Sequence, residues 1–236
     1  MSQIVEKIRE DLIKSADAST KGSFQRFFKG DIKCHGVKTG IVNQIAKGHW
    51  KEVQSMEKGK IFQLCEELFS SGFIEEAFVA SYWTPRIDDR YAPGDLLIFR
   101  EWIGRYIDNW AKCDTFCNHT VGSFIEKYPG RIDELKSWAK SENRWLKRAA
   151  AVSLIIPAKR GKFLAEAIEI ADMLLADPDD MVQKGYGWLL KEESRLHQRE
   201  VFSYVMKNRA SMPRTALRYA IELMPKELRS EAMKLP

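Results

Sequence analysis

Four side chains in three short segments have the chemistry of a reactive centre. Trp110 and Asp114 lie in the segment NWAKCD, Arg148 lies in NRWLKRAA and Trp188 lies in GWLLKE, about one helical repeat apart. If the chain is a stack of helices, these side chains meet on one concave, basic wall. A carboxylate and two indole faces stabilise positive charge, and a guanidinium suits an anionic partner. The set therefore fits an electron-poor sugar on a polyanion, which points to damaged DNA.

The composition is that of an ordinary water-soluble globular chain. Its 236 residues are 44% hydrophobic and 30% charged, with a mean hydropathy of −0.37. No stretch resembles the run of about 18 apolar residues that would cross a membrane. The amphipathic N-terminus lacks the apolar centre and the cleavage site of a signal peptide. We expect one domain over residues 1–236, a monomer located in the cytoplasm and without membrane contact.

The cysteines do not indicate a disulfide framework or a metal site. Cys34, Cys65, Cys113 and Cys117 are few and scattered, which fits a reducing compartment. Cys113, Cys117 and His119 could offer ligands from one helical turn, but structural zinc sites use two ligand pairs and no second pair follows. We therefore interpret the thiols as packing residues and predict no metal and no cofactor.

The chain carries a net charge of +5, from 38 Lys plus Arg against 33 Asp plus Glu. Much of the excess falls in an N-terminal cluster and in a later loop. The cluster comprises Lys21, Arg26, Lys29, Lys33, Lys38 and Lys47, and the loop holds Lys159, Arg160 and Lys162. Cations that share one face would bind a polyanion such as nucleic acid. The alternative is that each cluster is an ordinary solvated surface.

Apolar residues recur with a helical period almost throughout, which predicts an all-α fold. The predicted helices cover residues 2–16, 40–53, 57–71, 73–83, 94–109, 112–127, 131–141, 144–158, 163–176, 180–194, 198–208 and 214–224. One exception is the stretch from Phe24 to Val37, where a Lys-Gly-Asp turn between apolar runs predicts a short β-hairpin. Among the tryptophans, we expect Trp102, Trp138 and Trp145 to be core residues.

The second helix of each predicted pair has a small residue in register with the others. Ala77, Cys113, Ala149 and Gly185 recur at steps of 36 residues, and Tyr219 follows 34 residues later. A small side chain at a fixed position lets neighbouring helices approach closely, as stacked helical hairpins require. The pattern predicts a curved α-α superhelix whose inner helices line a groove. The alternative is a helical bundle without repeats.

Basic residues precede the small residue in three of these repeats. Lys112, Arg148 and Lys184 share this position, so we expect a basic stripe along the groove. Asp114 follows the small residue, at a position that is uncharged in the neighbouring repeats. Such a break in a local pattern marks a candidate functional residue. The alternative for Asp114 is a capping residue at the start of its helix.

These segments resemble the signatures of the AlkD-like DNA alkylation repair family. The resemblance rests on NWAKCD with Trp110 and Asp114, RWLKRAA with Arg148, and VQKGYGWLLKE with Trp188. The earlier segment HGVKTGIVNQIAK is similar to a family motif of Gly, a hydrophobic residue, a polar residue and Thr. The agreement in order and spacing extends from about residue 30 to residue 225. Two departures are Lys38, where well-known members have Gln, and an expanded stretch between residues 22 and 35.

The resemblance implies HEAT-like helical repeats and the excision of alkylated purines. It implies that Asp114 is the catalytic carboxylate, that Trp110 and Trp188 flank the deoxyribose of the lesion, and that Arg148 lies by the DNA backbone. Further DNA-binding candidates are Lys38, Thr39, Lys112, Lys147, Lys159, Arg160 and Lys184. Related branches of the superfamily have little glycosylase activity and prefer branched DNA.

Three functions therefore remain open at the level of sequence. The first is a monofunctional glycosylase that hydrolyses the N-glycosidic bond of N3- or N7-alkylated purines in duplex DNA. The second is a binder of branched or damaged DNA with little or no activity on the same scaffold. The third is a helical-repeat scaffold for protein interactions, in which the aromatic side chains anchor a protein interface.

Overall fold

The computed structural model describes residues 2–28 and 32–234, and none of these residues forms a strand. The all-α prediction is thus confirmed. The helices are α1 (Gln3–Lys14), α2 (Ala18–Phe27), α3 (Thr39–Val53), α4 (Lys58–Ser70), α5 (Ile74–Trp83), α6 (Asp95–Tyr106), α7 (Trp110–Phe116), α8 (Gly122–Lys127), α9 (Ile132–Ala139), α10 (Arg144–Val152), α11 (Ile155–Ala158), α12 (Leu164–Leu174), α13 (Asp180–Glu193), α14 (Gln198–Asn208), α15 (Arg214–Ala220) and α16 (Lys226–Met233).

The described residues, 2–28 and 32–234, form two compact units along the chain, residues 1–107 and residues 108–236. Helices pair within each unit, as the helical-repeat prediction requires. A single domain over the whole chain stays a prediction. No helix in the described part of the chain is long and apolar enough to cross a membrane.

In the first unit, α5 packs against α3 and α4 and brings two acidic side chains into the core. Glu75 and Glu76 are fully buried. The Glu75 carboxylate accepts hydrogen bonds from the backbone N–H groups of His35, Gly36 and Val37, at 2.8 to 3.1 Å. Buried carboxylates are stable only when they are paired or hydrogen-bonded in this way. Glu75 therefore fixes the segment that leads into α3.

The predicted hairpin over residues 24–37 is wrong. Residues 18–27 form α2, whose first turn is capped by the Asp17 side chain accepting from the backbone N–H of Thr20 at 2.7 Å. On the other side, residues 32–38 have no strand partner, because Glu75 already satisfies three of their backbone donors. The Lys-Gly-Asp turn itself, residues 29–31, lies outside the described residues.

The second unit has two layers of helices. In one layer α10 packs against both α7 and α13, and α13 packs against α15. The second layer contains α9 and α12, which contact each other and lie against α10 and α13 respectively. Cys113, Ala149 and Gly185 are all buried in the first layer. The small-residue register therefore marks the helices that stack directly on one another.

Tryptophans divide between the core and partly exposed positions. Trp102 and Trp138 are buried, as predicted, whereas Trp145 is half-buried. Trp110 and Trp188 are also half-buried. Part of each of these last two indoles is thus open to solvent and can contact another molecule.

Glu193, at the end of α13, is a buried carboxylate with neither oxygen hydrogen-bonded. Burial, followed by the nearby charge of Glu166, raises the pKa of Glu193 from its ordinary 4.5 to about 7. The folded state binds the proton of Glu193 more tightly than the unfolded state does. The contribution of this group to stability is therefore fully present below pH 4.5 and is lost as the pH rises through 7.

We predict that Glu193→Gln has a small effect on stability at pH 5 and stabilises the protein at pH 8.5 by roughly 2 to 3 kcal/mol. Urea unfolding followed by circular dichroism at both pH values measures this difference. Glu200→Gln, which replaces an exposed carboxylate on α14, is the matched control and should change little at either pH. An equal effect of Glu193→Gln at both pH values would contradict the prediction.

Candidate active site

Asp114 lies in the second turn of α7 and does not cap the helix. The cap is Asn109, whose side-chain oxygen accepts from the backbone N–H of Lys112 at 3.0 Å. Asn is among the residues preferred at this position, because its oxygen satisfies a backbone donor that has no partner in the helix. The capping interpretation of Asp114 is therefore wrong. Its carboxylate is free to make contacts outside its own helix.

The carboxylate of Asp114 forms a two-pronged ion pair with Arg148 on α10. Arg148 Nε donates to Asp114 Oδ1 at 2.8 Å, and Nη2 donates to Oδ2 at 2.7 Å. Only 12% of the Asp114 side chain and 6% of the Arg148 side chain is exposed. The planar guanidinium matches both carboxylate oxygens, which makes this the strongest geometry for such a pair.

A third contact ties the pair to α13. Arg148 Nη1 donates to the backbone carbonyl oxygen of Met181 at 2.5 Å. Gly185 faces the same side chain: a Cβ at this position would lie 3.2 Å from Arg148 Cγ. Such a distance is tighter than ordinary packing, so the missing side chain makes room for the arginine. The small residue at this register therefore serves the site as well as the packing of the helices.

Burial and the ion pair act on the Asp114 carboxyl in opposite directions. Burial raises the pKa of Asp114, and the hydrogen bonds and positive charge of Arg148 oppose the rise. Arg148 is a permanent cation, because guanidinium groups do not lose their proton in proteins. The ion-paired form is therefore the one in which both buried groups are satisfied, and we take Asp114 as ionised at neutral pH.

Trp188 is held by a second buried carboxylate. Its indole Nε1 donates to Glu192 Oε1 at 3.1 Å, and Glu192 Oε2 accepts from Arg195 Nε at 2.5 Å. Hydrogen bonds from Arg195 and Trp188 lower the pKa of Glu192 against the effect of burial. Trp110 begins α7 four residues before Asp114, so the two lie on the same side of the helix.

Each cation of the predicted basic stripe is paired with a carboxylate of the same chain. Lys112 is buried and its Nζ lies 3.0 Å from Asp108, while Lys184 Nζ lies 2.6 Å from Asp180. In both cases the acid stands four residues earlier in the chain: Asp180 is the first residue of α13, whereas Asp108 precedes the cap of α7. Arg148 has another arginine, Arg144, at that position, and its counter-charge comes from Asp114 on a different helix.

The other DNA-binding candidates differ in how free their charges are. Lys147 pairs with Asp177 at 2.8 Å, and Arg160 pairs with Glu126 at 2.6 Å. Lys159 is exposed in the loop after α11. In the first unit, Lys38 and Thr39 are exposed at the start of α3.

The structure brings Asp114 and Arg148 into direct contact and adds three groups that the sequence reasoning missed. These are the cap Asn109, the Met181 carbonyl and the carboxylate of Glu192. The first had a sequence signal, since Asn directly before a helical pattern is a common cap. Among the described residues there is no group of three metal-binding side chains.

Fold and site together define an all-α helical-repeat protein with a buried carboxylate–guanidinium pair on one layer of its second unit. The model of the DNA alkylation repair enzyme family matches residues 8–224, so the chain belongs to that family. No curated protein matches the chain in sequence.

Two solved structures share the fold. One is a predicted DNA alkylation repair enzyme from Enterococcus faecalis, with a TM-score of 0.81 and 17% identity, over 90% of this chain and 98% of that one. The other is smu.31 from Streptococcus mutans UA159, with a TM-score of 0.62 and 20% identity, over 97% of this chain and 98% of that one.

The ion pair should show strong coupling in a double-mutant cycle. Asp114→Asn and Arg148→Met each leave a buried charge without its partner, and we expect each to cost about 3 to 5 kcal/mol. The double variant leaves neither charge, so its cost should fall well below the sum of the two. Urea unfolding at pH 7 measures all three variants. Strictly additive costs would show that the two charges do not depend on each other.

Proposed function

We propose that the protein is a DNA glycosylase that hydrolyses the N-glycosidic bond of N3- or N7-alkylated purines in duplex DNA. Membership of the DNA alkylation repair family supports an action on alkylated DNA. The observation that carries the finer proposal is the ionised Asp114, held in place by Arg148 and accompanied by two partly exposed indoles.

The proposed reaction depends on charge in the substrate. A purine alkylated at N3 or N7 is cationic, so it leaves without a proton from a general acid. As the bond breaks, positive charge moves to the deoxyribose. A fixed carboxylate stabilises this oxocarbenium-like transition state and can orient the attacking water. Asp114 retains lone pairs beyond those used by Arg148, because a carboxylate has about four acceptor sites.

The indoles of Trp110 and Trp188 have a supporting role in this proposal. The face of an indole attracts a cation, an effect of about 2 kcal/mol when the site is desolvated. That corresponds to roughly tenfold or more in rate for each ring, compared with a factor of about 10² to 10³ for a preorganised charged group. Asp114 should therefore dominate the chemistry.

DNA would be held mainly through its phosphates, with steep salt dependence and little sequence preference. Exposed cations such as Lys38 and Lys159 are the better candidates for these contacts, because Lys112 is buried in an internal ion pair. We propose that the protein acts as a monomer and without a cofactor. Because the proposed mechanism uses no Schiff-base lysine, its product is an abasic site in an uncut strand.

The decisive measurement is the release of N3-methyladenine and N7-methylguanine from methylated DNA. We expect release by the wild-type protein and a rate at least about 100-fold lower for Asp114→Asn. Asp133→Asn, which replaces an exposed aspartate on α9, is the matched control and should keep the wild-type rate. Circular dichroism and binding to undamaged duplex show whether Asp114→Asn has stayed folded. No release by folded wild-type protein would refute the proposal.

The orientation of Trp188 should matter separately from its presence. We expect Trp188→Ala to lower the excision rate about tenfold, and Glu192→Ala to lower it less, because the ring stays but loses its anchor. Glu192→Gln should keep an excision rate close to that of the wild type, since the amide oxygen of Gln can accept from the indole. Equal losses in Glu192→Ala and Glu192→Gln would show that the carboxylate acts in another way.

A second candidate function is the binding of branched or damaged DNA without excision. It is favoured by one observation: both oxygens of Asp114 are engaged by Arg148, and little of the side chain is exposed. Tight binding to four-way junctions without release of any methylated base would support this second function.

A further inference from the structure

A cavity of about 360 Å³ lies at the end of the second unit, where α15 meets α16. Three cationic side chains line it: Arg218, Lys226 and Arg229. Ile221 and Met233 add apolar surface, the first buried and the second half-buried. We call these five residues the C-terminal basic pocket.

The three cations of the pocket have no ion-pair partner among the described residues. The carboxylate beside them, Glu222, is already bound by Lys191, whose Nζ lies 3.1 Å from Glu222 Oε2. The pocket thus combines three cations that form no ion pair among the described residues with a surface for an apolar group. An anion that carries an apolar face is the ligand class that fits both features.

The repeat register explains why Arg218 is free. It stands 34 residues after Lys184, in the row that also contains Lys112 and Arg148. Each of the two lysines is paired with an aspartate four residues earlier in the chain. Arg218 has Arg214 at that position, as Arg148 has Arg144, so its own helix offers no such aspartate. Arg148 finds Asp114 on another helix, and Arg218 has no corresponding acid.

Helix α15, which carries Arg218, belongs to the layer of helices that carries the candidate active site. Helix α15 packs against α13, and α13 packs against α10, which holds Arg148. Packed helices are about 8 to 10 Å apart, so α15 is roughly 16 to 20 Å from α10.

We propose that the C-terminal basic pocket binds backbone phosphates of DNA, with Met233 against the adjacent deoxyribose. This inference rests on the proposed DNA-binding function and adds an anchoring site at a distance from Asp114. Arginine is suited to the role because its planar fork can donate two hydrogen bonds to one phosphate. Contacts of this kind fix the register of the protein on the duplex and carry no sequence information.

The test is the salt dependence of binding to an undamaged duplex, measured by fluorescence anisotropy. The variant Arg218→Gln/Lys226→Gln/Arg229→Gln should reduce the slope of log K against log salt by about 2 to 3, because each lost phosphate contact removes about 0.9. We expect at least about tenfold weaker binding at 0.1 M salt. Since all three side chains are exposed, the variant should unfold at the same temperature as the wild type.

A control variant with the same loss of charge shows whether the effect on DNA binding comes from the pocket or from net charge alone. Arg131, Arg199 and Lys207 are exposed, have no ion pair among the described residues, and lie on α14 or just before α9. Replacing all three by Gln also removes two arginines and one lysine. The slope should then change by less than about 1. Equal slope changes in the two triple variants would overturn the pocket proposal, because only net charge would then matter.

The remaining outcomes separate this inference from the proposed function. A pocket variant with the wild-type slope overturns the anchoring site, even if the protein excises methylated purines. A slope loss specific to the pocket variant supports the site, even if wild-type protein excises nothing. If inorganic pyrophosphate raises the unfolding temperature of wild type only, and the DNA slope is unchanged, the pocket binds a free anion and the proposal is wrong.

Discussion

The ion pair between Asp114 and Arg148 is the interaction on which the second unit depends. It joins α7 to α10, and the contact of Arg148 with the Met181 carbonyl extends the connection to α13. Removing two charges from water is costly, and only good geometry with all donors used compensates for it. Gly185 supplies that geometry by leaving space for the arginine. The same glycine therefore allows both the close stacking of the helices and the placement of the arginine charge.

Much of this arrangement could be predicted from the sequence, because it follows from short periods. The step of 36 residues identified the helices that stack, and Asp114 stood out as a charge in an uncharged row. The partner of Arg148 was harder to predict, because it lies 34 residues away and no local rule selects it. We expected this arginine beside the DNA backbone, and the structure directs its side chain to the carboxylate.

Other predictions were wrong because they left out the pairing of charges and hydrogen-bonding groups. The basic row was counted without the aspartates four residues before Lys112 and Lys184, although that spacing was visible in the sequence. The hairpin failed because the backbone donors of residues 35–37 bind Glu75, about 40 residues later. A pattern of apolar residues and a turn cannot indicate such a distant acceptor.

Three buried carboxylates show how differently this fold treats the same group. Glu75 is satisfied by backbone donors, Asp114 by a guanidinium, and Glu193 by neither. Only the second combines a negative charge held by a side-chain cation with a partly exposed tryptophan, Trp110, on its own helix. An ionised carboxylate has no proton to give to a leaving base. For the proposed glycosylase, substrates are therefore restricted to bases that leave without protonation, and the positive charge of an alkylated purine meets that condition before the protein acts.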